Sequence, residues 1–291
     1  MSLFDLHLHS TSSDGELTPT ELMAAASQAG ITAVSLSDHD GVNGVEEAAE
    51  AAARLGMTFI PGVEFSVDFP SGEFHLLGYG IALREPLPSF LEKQQKSRGN
   101  RNAVMVERLN ALGFALTLDD VLAQAQMQHQ PGEPISLGRP HIAMAMVAKG
   151  YSSSLSEAFD LYLAKGKPAY AERGKITAKE CIATIRKVGG VAVLAHPVTL
   201  GLSEAELIPM LSSLTNDGLE GIEALHSDHD LELQQTYRRL AASFGLLVTG
   251  GSDYHGPRVS PAVRLGYTKP DLPLDEMELV ERLQERLASR S

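Results

Sequence analysis

The chain contains ten histidines, and their positions matter more than their number. His7 and His9 stand two apart in Leu3-Phe4-Asp5-Leu6-His7-Leu8-His9. The alternation there reads as a strand with Asp5, His7 and His9 on one face. Two imidazoles projecting the same way from a strand can bind one metal ion. Asp14 follows in Ser13-Asp14-Gly15, a turn able to fold a carboxylate back over the strand end. His39 comes directly after a short apolar strand at 31–37. Glu64 follows the strand read at 57–60, and His75 lies in a hairpin-like Phe74-His75-Leu76. His196 ends the apolar run 191–195, and Asp253 and His255, again two apart, end the last strand.

Each of these has an ordinary explanation when taken alone. A histidine at a strand end is commonly a hydrogen-bonded core or surface residue, and an aspartate after a strand is commonly a helix cap. Six histidines and three carboxylates at or just after strand ends point instead to a polynuclear metal centre. Imidazole and carboxylate without thiolate suit manganese, zinc or iron. Up to three ions sharing nine ligands would leave positions open for water and substrate oxygens, as hydrolysis requires. Glu64, central among the nine, is the candidate bridging carboxylate. Asp5, Asp38 and Asp40 are placed to orient imidazole N–H groups, or else to form turns and caps.

The elements that must carry these residues alternate. Thr18, Pro19 and Glu21 give a helix start with a cap, a first-turn proline and a carboxylate three residues on. From the first strand to residue 60 the order is strand, helix, strand, helix and strand, with helices ending at Gly30 and Gly56. The pattern resumes with helix 178–188, strand 191–195, helix 203–216, strand 219–224, helix 231–244, strand 246–249 and an amphipathic helix at 277–288. Alternation of this kind predicts a parallel α/β sheet or barrel, whose active site lies where the strands end. From about 86 to 167 the strand signal disappears. Residues 90–112, 118–126, 140–149 and 155–165 read as helices, which predicts a helical insertion in a barrel of residues 1–85 and 168–291. The Gln-rich stretch 124–130, with His129, reads as a loop near its tip.

The 291 residues are 43% hydrophobic and 21% charged, the balance of a globular protein with a core. No apolar run approaches the ~20 residues of a membrane span, and the start of the chain has no secretory pattern. One cysteine, Cys181, leaves no disulfide framework or thiolate-rich metal site, so the cytoplasm is the expected location. The formal charge of −13 argues against wrapping a long nucleic acid, which needs a basic track. Two or three divalent ions at the mouth would nevertheless make an acidic protein locally cationic.

Taken in order, Asp5-Leu6-His7-Leu8-His9 with Ser13-Asp14-Gly15, Ser37-Asp38-His39-Asp40, Gly62-Val63-Glu64, Ala195-His196-Pro197 and Asp253-Tyr254-His255 resemble the motifs of the polymerase and histidinol phosphatase (PHP) family. The resemblance runs along most of the chain. It implies a distorted (β/α)7 barrel with a trinuclear site: His7, His9, Glu64 and Asp253 on one ion, Glu64, His75 and His196 on a second, Asp14, His39 and His255 on a third. Manganese is the expected metal, with zinc, iron or magnesium as alternatives, in a set of two to three ions.

Gly138-Arg139-Pro140-His141 and the run from Ala158 to Tyr170 resemble the branch that dephosphorylates nucleoside 3′,5′-bisphosphates. Some members of that branch also trim short oligonucleotides from the 5′ end. Arg139 and His141 flank a helix-starting proline, so a phosphate there would meet a helix N-terminus, a guanidinium and an imidazole together. The competing reading pairs Arg139 with a carboxylate and packs His141 on its own helix. Arg98 and Arg101 form a second basic cluster, equally explained as a solvated helix face, and Ser136 is a further candidate. Histidinol phosphate needs no second phosphate site, so the basic insertion argues against it. The expected partner is a small phosphorylated nucleotide, with short oligonucleotides as an alternative. His226-Ser227-Asp228-His229-Asp230 looks metal-like but reads as a loop and helix cap once nine ligands are assigned.

Overall fold

The computed structural model describes residues 2–70, 72–127, 137–172, 176–269 and 271–290. Ser136 and His129 lie outside them. Among the described residues, β1 (Leu3–Leu8), β2 (Ile31–Leu36), β3 (Thr58–Val67), β4 (Phe74–Tyr79), β5 (Val191–Leu194), β6 (Gly221–Leu225) and β7 (Leu247–Gly250) form one seven-stranded sheet in chain order. Pairing is parallel from β1 to β3 and from β5 to β7; β4 runs antiparallel to both neighbours.

The sheet curls into a distorted barrel. Leu8 pairs with Tyr254 beyond β7, and the N–H groups of Asp253 and His9 donate to the carbonyls of His7 and Tyr254 at 2.9 and 3.1 Å. Glycine permits this closure. A Cβ at Gly251 would sit 2.2 Å from His7 Cβ and 2.5 Å from His7 N, nearer than any side chain tolerates.

Helices α1 (Pro19–Gln28), α2 (Val45–Arg54), α7 (Ala178–Lys187), α8 (Glu204–Asp217), α9 (Leu231–Phe244) and α10 (Met277–Ala288) accompany the strands. The expected start of α1 is present: Thr18 and Glu21 cap each other reciprocally. Phe4 and Leu6 of β1 pack with Val191 and Val193 of β5 and with Leu279, Val280 and Leu283 of α10. Leu287 abuts Gly80, and Arg290 donates to the Gly190 carbonyl, so α10 closes the barrel end remote from the histidines.

Between β4 and β5 lie α3 (Leu87–Ala111), α4 (Leu118–Gln126), α5 (Arg139–Ala148) and α6 (Leu155–Ala158). The single helix expected over 155–165 is broken: α6 gives way to a π-helical turn, Phe159–Leu163, where the Ala164 N–H bonds the Phe159 carbonyl. Leu87 and Leu91 at the start of α3 belong to a core of the barrel. Met105, Val106 and Leu109 further along join Val121, Ile142, Met146, Leu163 and Ala169 in a separate core. One long helix thus belongs to two cores. No helix among the described residues is long and apolar enough to cross a membrane.

Candidate metal centre

The nine ligand candidates converge at one end of the barrel, although two arrive by an unexpected route. Glu64 does not follow a strand; it lies within β3, which continues past Pro61 because residues 62–67 find a new antiparallel partner in β4. His75 is the second residue of β4. Because β4 runs backwards, its beginning lies at the same rim as the C-terminal ends of the parallel strands.

Glu64 sits at the centre and is fully buried. Its Oε1 lies 2.9 Å from His75 Nδ1 and 2.9 Å from His196 Nε2, and those two nitrogens are 3.3 Å apart. Its Oε2 lies 3.3 Å from both His7 Nε2 and His9 Nε2. Asp253 Oδ1 completes that group at 3.4 and 3.0 Å from the same nitrogens. Asp14 Oδ1 lies 3.3 Å from His255 Nε2 and 3.9 Å from His9 Nδ1. His39 connects the two regions, with Nδ1 2.9 Å from Glu64 Oε2 and Nε2 3.8 Å from Asp14 Oδ2.

Ligands ~2.1 Å from a divalent ion and roughly at right angles lie ~3 Å from each other, so these separations fit shared coordination. The hydrogen bonding points the same way. His7 Nε2, both ring nitrogens of His9, Asp14 Oδ1, His39 Nδ1, Glu64 Oε2 and Asp253 Oδ1 are buried without a hydrogen-bond partner. Buried polar atoms left so are costly, and here they face one another, as donor atoms around cations do. Among the described residues, potential ligand atoms within 4.8 Å of one another come from His9, Asp14, His39 and His255; from His7, His9, Glu64 and Asp253; from His7, Glu223 and His226; and from His39, Glu64 and His75.

The electrostatics favour cations. Burial disfavours a charged His9, yet Asp253 and Glu64 outweigh it and push the ring up to about 10. Burial keeps His39 neutral, down to about 4, leaving its lone pair free. Glu64 is held well below the ordinary carboxylate range, with His39, His75 and His7 overcoming the burial penalty.

Asp5, Asp38 and Asp40 have work other than orienting imidazoles. Asp38 accepts from Ser10 N, Ser10 Oγ and Ser13 Oγ at 2.8, 2.7 and 2.5 Å, which secures the turn bearing Asp14. A Cβ at Gly15 would lie 2.3 Å from the His9 carbonyl oxygen, so glycine lets that turn fold back. Asp5 accepts from Ser252 N and Gly266 N at 2.8 and 2.9 Å. Asp40 accepts from Ser66 N and from Arg98 at 2.9 and 2.6 Å. The carboxylate that does face an imidazole is Glu223, 3.0 Å from His7 Nδ1. It is a single glutamate in the apolar Gly221-Ile222-Glu223-Ala224-Leu225, and that isolation was its signal. His226, read as part of a loop and cap, is buried with Nε2 3.6 Å from Asp253 Oδ2.

A cavity of about 530 Å³ opens onto the cluster, lined by Asp14, His39, His75, His196, Asp253 and His255 on the barrel side and by Arg98, Arg139, Pro140 and Phe159 on the insertion side. Arg98 and Arg101 are not on a solvated face. Both are buried, Arg98 bound to Asp40 and Arg101 to Asn102 Oδ1 at 2.9 Å. Of the two, Arg98 lines the cavity. Arg139 also lines it, is 16% exposed and pairs with Glu73 Oε1 at 2.6 Å, with its guanidinium carbon 5.8 Å from the Phe159 ring centre. His141 is 1% exposed; its Nδ1 accepts the Gly138 N–H at 2.9 Å and is spent on its own helix end. Among the described residues lining the cavity, His141 and Arg101 do not appear.

The PHP domain family model matches residues 5–190. The chain is 33% identical over 258 residues to the 3′,5′-nucleoside bisphosphate phosphatase of Chromobacterium violaceum, covering 88% of each. It is 32% identical over 255 residues to a 5′-3′ exoribonuclease of Haemophilus influenzae, covering 87% of this chain and 90% of the relative. Among solved structures, a protein from Bifidobacterium adolescentis described as a metal-dependent phosphoesterase superposes with a TM-score of 0.84 at 33% identity, over 98% of this chain and 96% of the other. With this match and the cluster of orphaned imidazoles and carboxylates, the chain belongs to the PHP family and is a metal-dependent phosphoesterase.

Proposed function

We propose that the chain removes the 3′-phosphate from nucleoside 3′,5′-bisphosphates such as adenosine 3′,5′-bisphosphate. The carrying observation is that one cavity joins the metal-ligand cluster to Arg98 and Arg139. Its volume suits a nucleotide. Two or three divalent ions, manganese foremost, would be held by His7, His9, Asp14, His39, Glu64, His75, His196, Asp253 and His255. Such ions supply a nucleophile at neutral pH and neutralise phosphoryl charge. Arg139 holds the 5′-phosphate by exchanging Glu73 for it, a charge-assisted contact that a guanidinium makes well. The helical insertion, residues 86–167, acts as the substrate cap, and the protein works in the cytoplasm on small nucleotides.

A second reading, hydrolysis of short 5′-phosphorylated oligoribonucleotides from the 5′ end, uses the same groups on a diester. The name of the Haemophilus relative favours it. Histidinol phosphate fits less well, having no second phosphate for Arg139. A phosphate-release screen with Mn²⁺, across nucleoside monophosphates, bisphosphates and a 5′-phosphorylated trinucleotide, tests the proposal. The bisphosphate should give the highest kcat/KM. Equal rates on mono- and bisphosphates would reject it, and mononucleotide release from the trinucleotide as the faster reaction would favour the second reading.

A further inference from the structure

Strand β6 donates none of the nine proposed ligands, yet its end touches three of them. Glu223 is fully buried and uses both oxygens. His7 Nδ1–H donates to Oε1 at 3.0 Å, which fixes the tautomer and turns the Nε2 lone pair toward Glu64 and Asp253. The His196 backbone N–H donates to Oε2 at 2.8 Å. His196 is a non-glycine residue with φ +20° and ψ +68°, a conformation that persists only where surroundings impose it. One carboxylate therefore sets the ring of a ligand on β1 and the backbone of a ligand following β5.

His226 follows β6 directly. Its Nδ1 accepts the Asp228 N–H at 3.0 Å, so in the neutral ring the proton sits on Nε2. That nitrogen is buried without a hydrogen-bond partner and lies 3.6 Å from Asp253 Oδ2. Asp253 also has positive φ, +58°. Its oxygens divide their roles: Oδ1 faces His7 and His9, and Oδ2 faces His226. A ring protonated on Nε2 with Nδ1 occupied has no lone pair for a metal. The set His7, Glu223 and His226, close enough to hold an ion, is on this account a proton-donor arrangement.

We propose that Glu223 and His226 are positioning residues that hold His7, His196 and Asp253 in ligating pose. β6 is thus the alignment strand of the centre. This rests on the metal-dependent reading of the same site.

The test is Mn²⁺ titration of wild type, Glu223→Gln and His226→Gln by calorimetry, with ¹⁵N NMR of the histidine rings and thermal melts alongside. Glu223→Gln keeps the shape but cannot accept from both N–H groups. It should weaken Mn²⁺ binding ~10–100-fold and change the His7 ring ¹⁵N signature from a single Nδ1–H tautomer to a mixture. His226→Gln should weaken binding by a smaller factor and leave the His7 signature unchanged; it also carries the test should the first variant not fold. Wild-type affinity in both variants would overturn the proposal, as would an ion found bound directly between Glu223 and His226. Failure of wild type itself to bind Mn²⁺ would overturn both this and the functional reading, so the two failures are distinguishable.

Discussion

The barrel rim and the helical insertion meet at one cavity, yet they secure their polar groups differently. On the rim, ligand atoms are side chains at strand ends, fixed by backbone pairing across β1, β3 and the segment after β7, and those of His7, His9, Asp14, His39, Glu64 and Asp253 include buried atoms that face one another without a hydrogen-bond partner. On the insertion, Arg98 and Arg139, which line the cavity, are long side chains on helices, each bound to a carboxylate: Arg98 to Asp40 and Arg139 to Glu73. The rim is built for a fixed chemistry that ions complete. The insertion side is built from pairs that an anionic substrate can reorganise, with Arg139 at the exposed end of that range and Arg98 at the buried end.

The largest effect should come from the rim. Glu64→Gln removes the charge shared by the groups around His7, His9, His75 and His196, and should lower phosphate release from a simple aryl phosphate ~10³-fold, the worth of several kcal/mol of transition-state charge stabilisation. Steady-state kinetics with Mn²⁺ reads this; a loss under tenfold would mean that Glu64 is not the bridge. Next comes the buried end of the insertion. Arg98→Met takes the guanidinium from an Asp40 that is fully buried and should cost ~3 kcal/mol of stability in urea. A change below ~1 kcal/mol would show that the pair does not anchor α3 to the rim.

Arg139→Ala should act on substrate choice and leave stability nearly unchanged. Losing a charged hydrogen bond worth ~2 kcal/mol raises KM for a nucleoside bisphosphate ~30-fold, with the aryl phosphate shifted less than ~2-fold. Equal shifts for both would remove Arg139 from 5′-phosphate recognition and erase the functional distinction between the two faces. The smallest effect lies behind the rim. Burial holds His229 down to about 4, below its ordinary 6.5, so its neutral form contributes stability in full above pH 6.5. That contribution is lost as pH falls from 6.5 through 4. Urea unfolding in chelator should therefore show a shallower pH slope for His229→Gln than for wild type across that window. Parallel slopes would contradict a neutral buried His229.

The same contrast explains what the sequence disclosed. His7 with His9, and Asp253 with His255, carry their signal in local spacing, because a strand's two-residue period aligns them whatever the rest of the fold does. The capping box at Thr18 is local in the same way. Pro61-Gly62 reads as the end of a strand, and only the pairing of β3 with β4, a tertiary fact, carries the strand through Glu64 to Val67. Arg98 reads equally as a phosphate contact or part of a solvated face because its partner, Asp40, is met only after α3 lies against the barrel. Glu223 has no spaced companion at all, since its partners His7 and His196 come from other strands. His141 was legible as a helix-start residue, but its imidazole turned back to the Gly138 N–H, a choice that depends on rotamer and not on spacing.

The rim residues are proposed to form a polynuclear metal centre organised on Glu64. Anomalous diffraction at the manganese edge, from crystals equilibrated with Mn²⁺, tests it most directly. Two or three peaks are expected: one among His7, His9, Glu64 and Asp253, one among Glu64, His75 and His196, and one beside Asp14, His39 and His255. A single peak that Glu64 does not touch, or none among these residues, would contradict it.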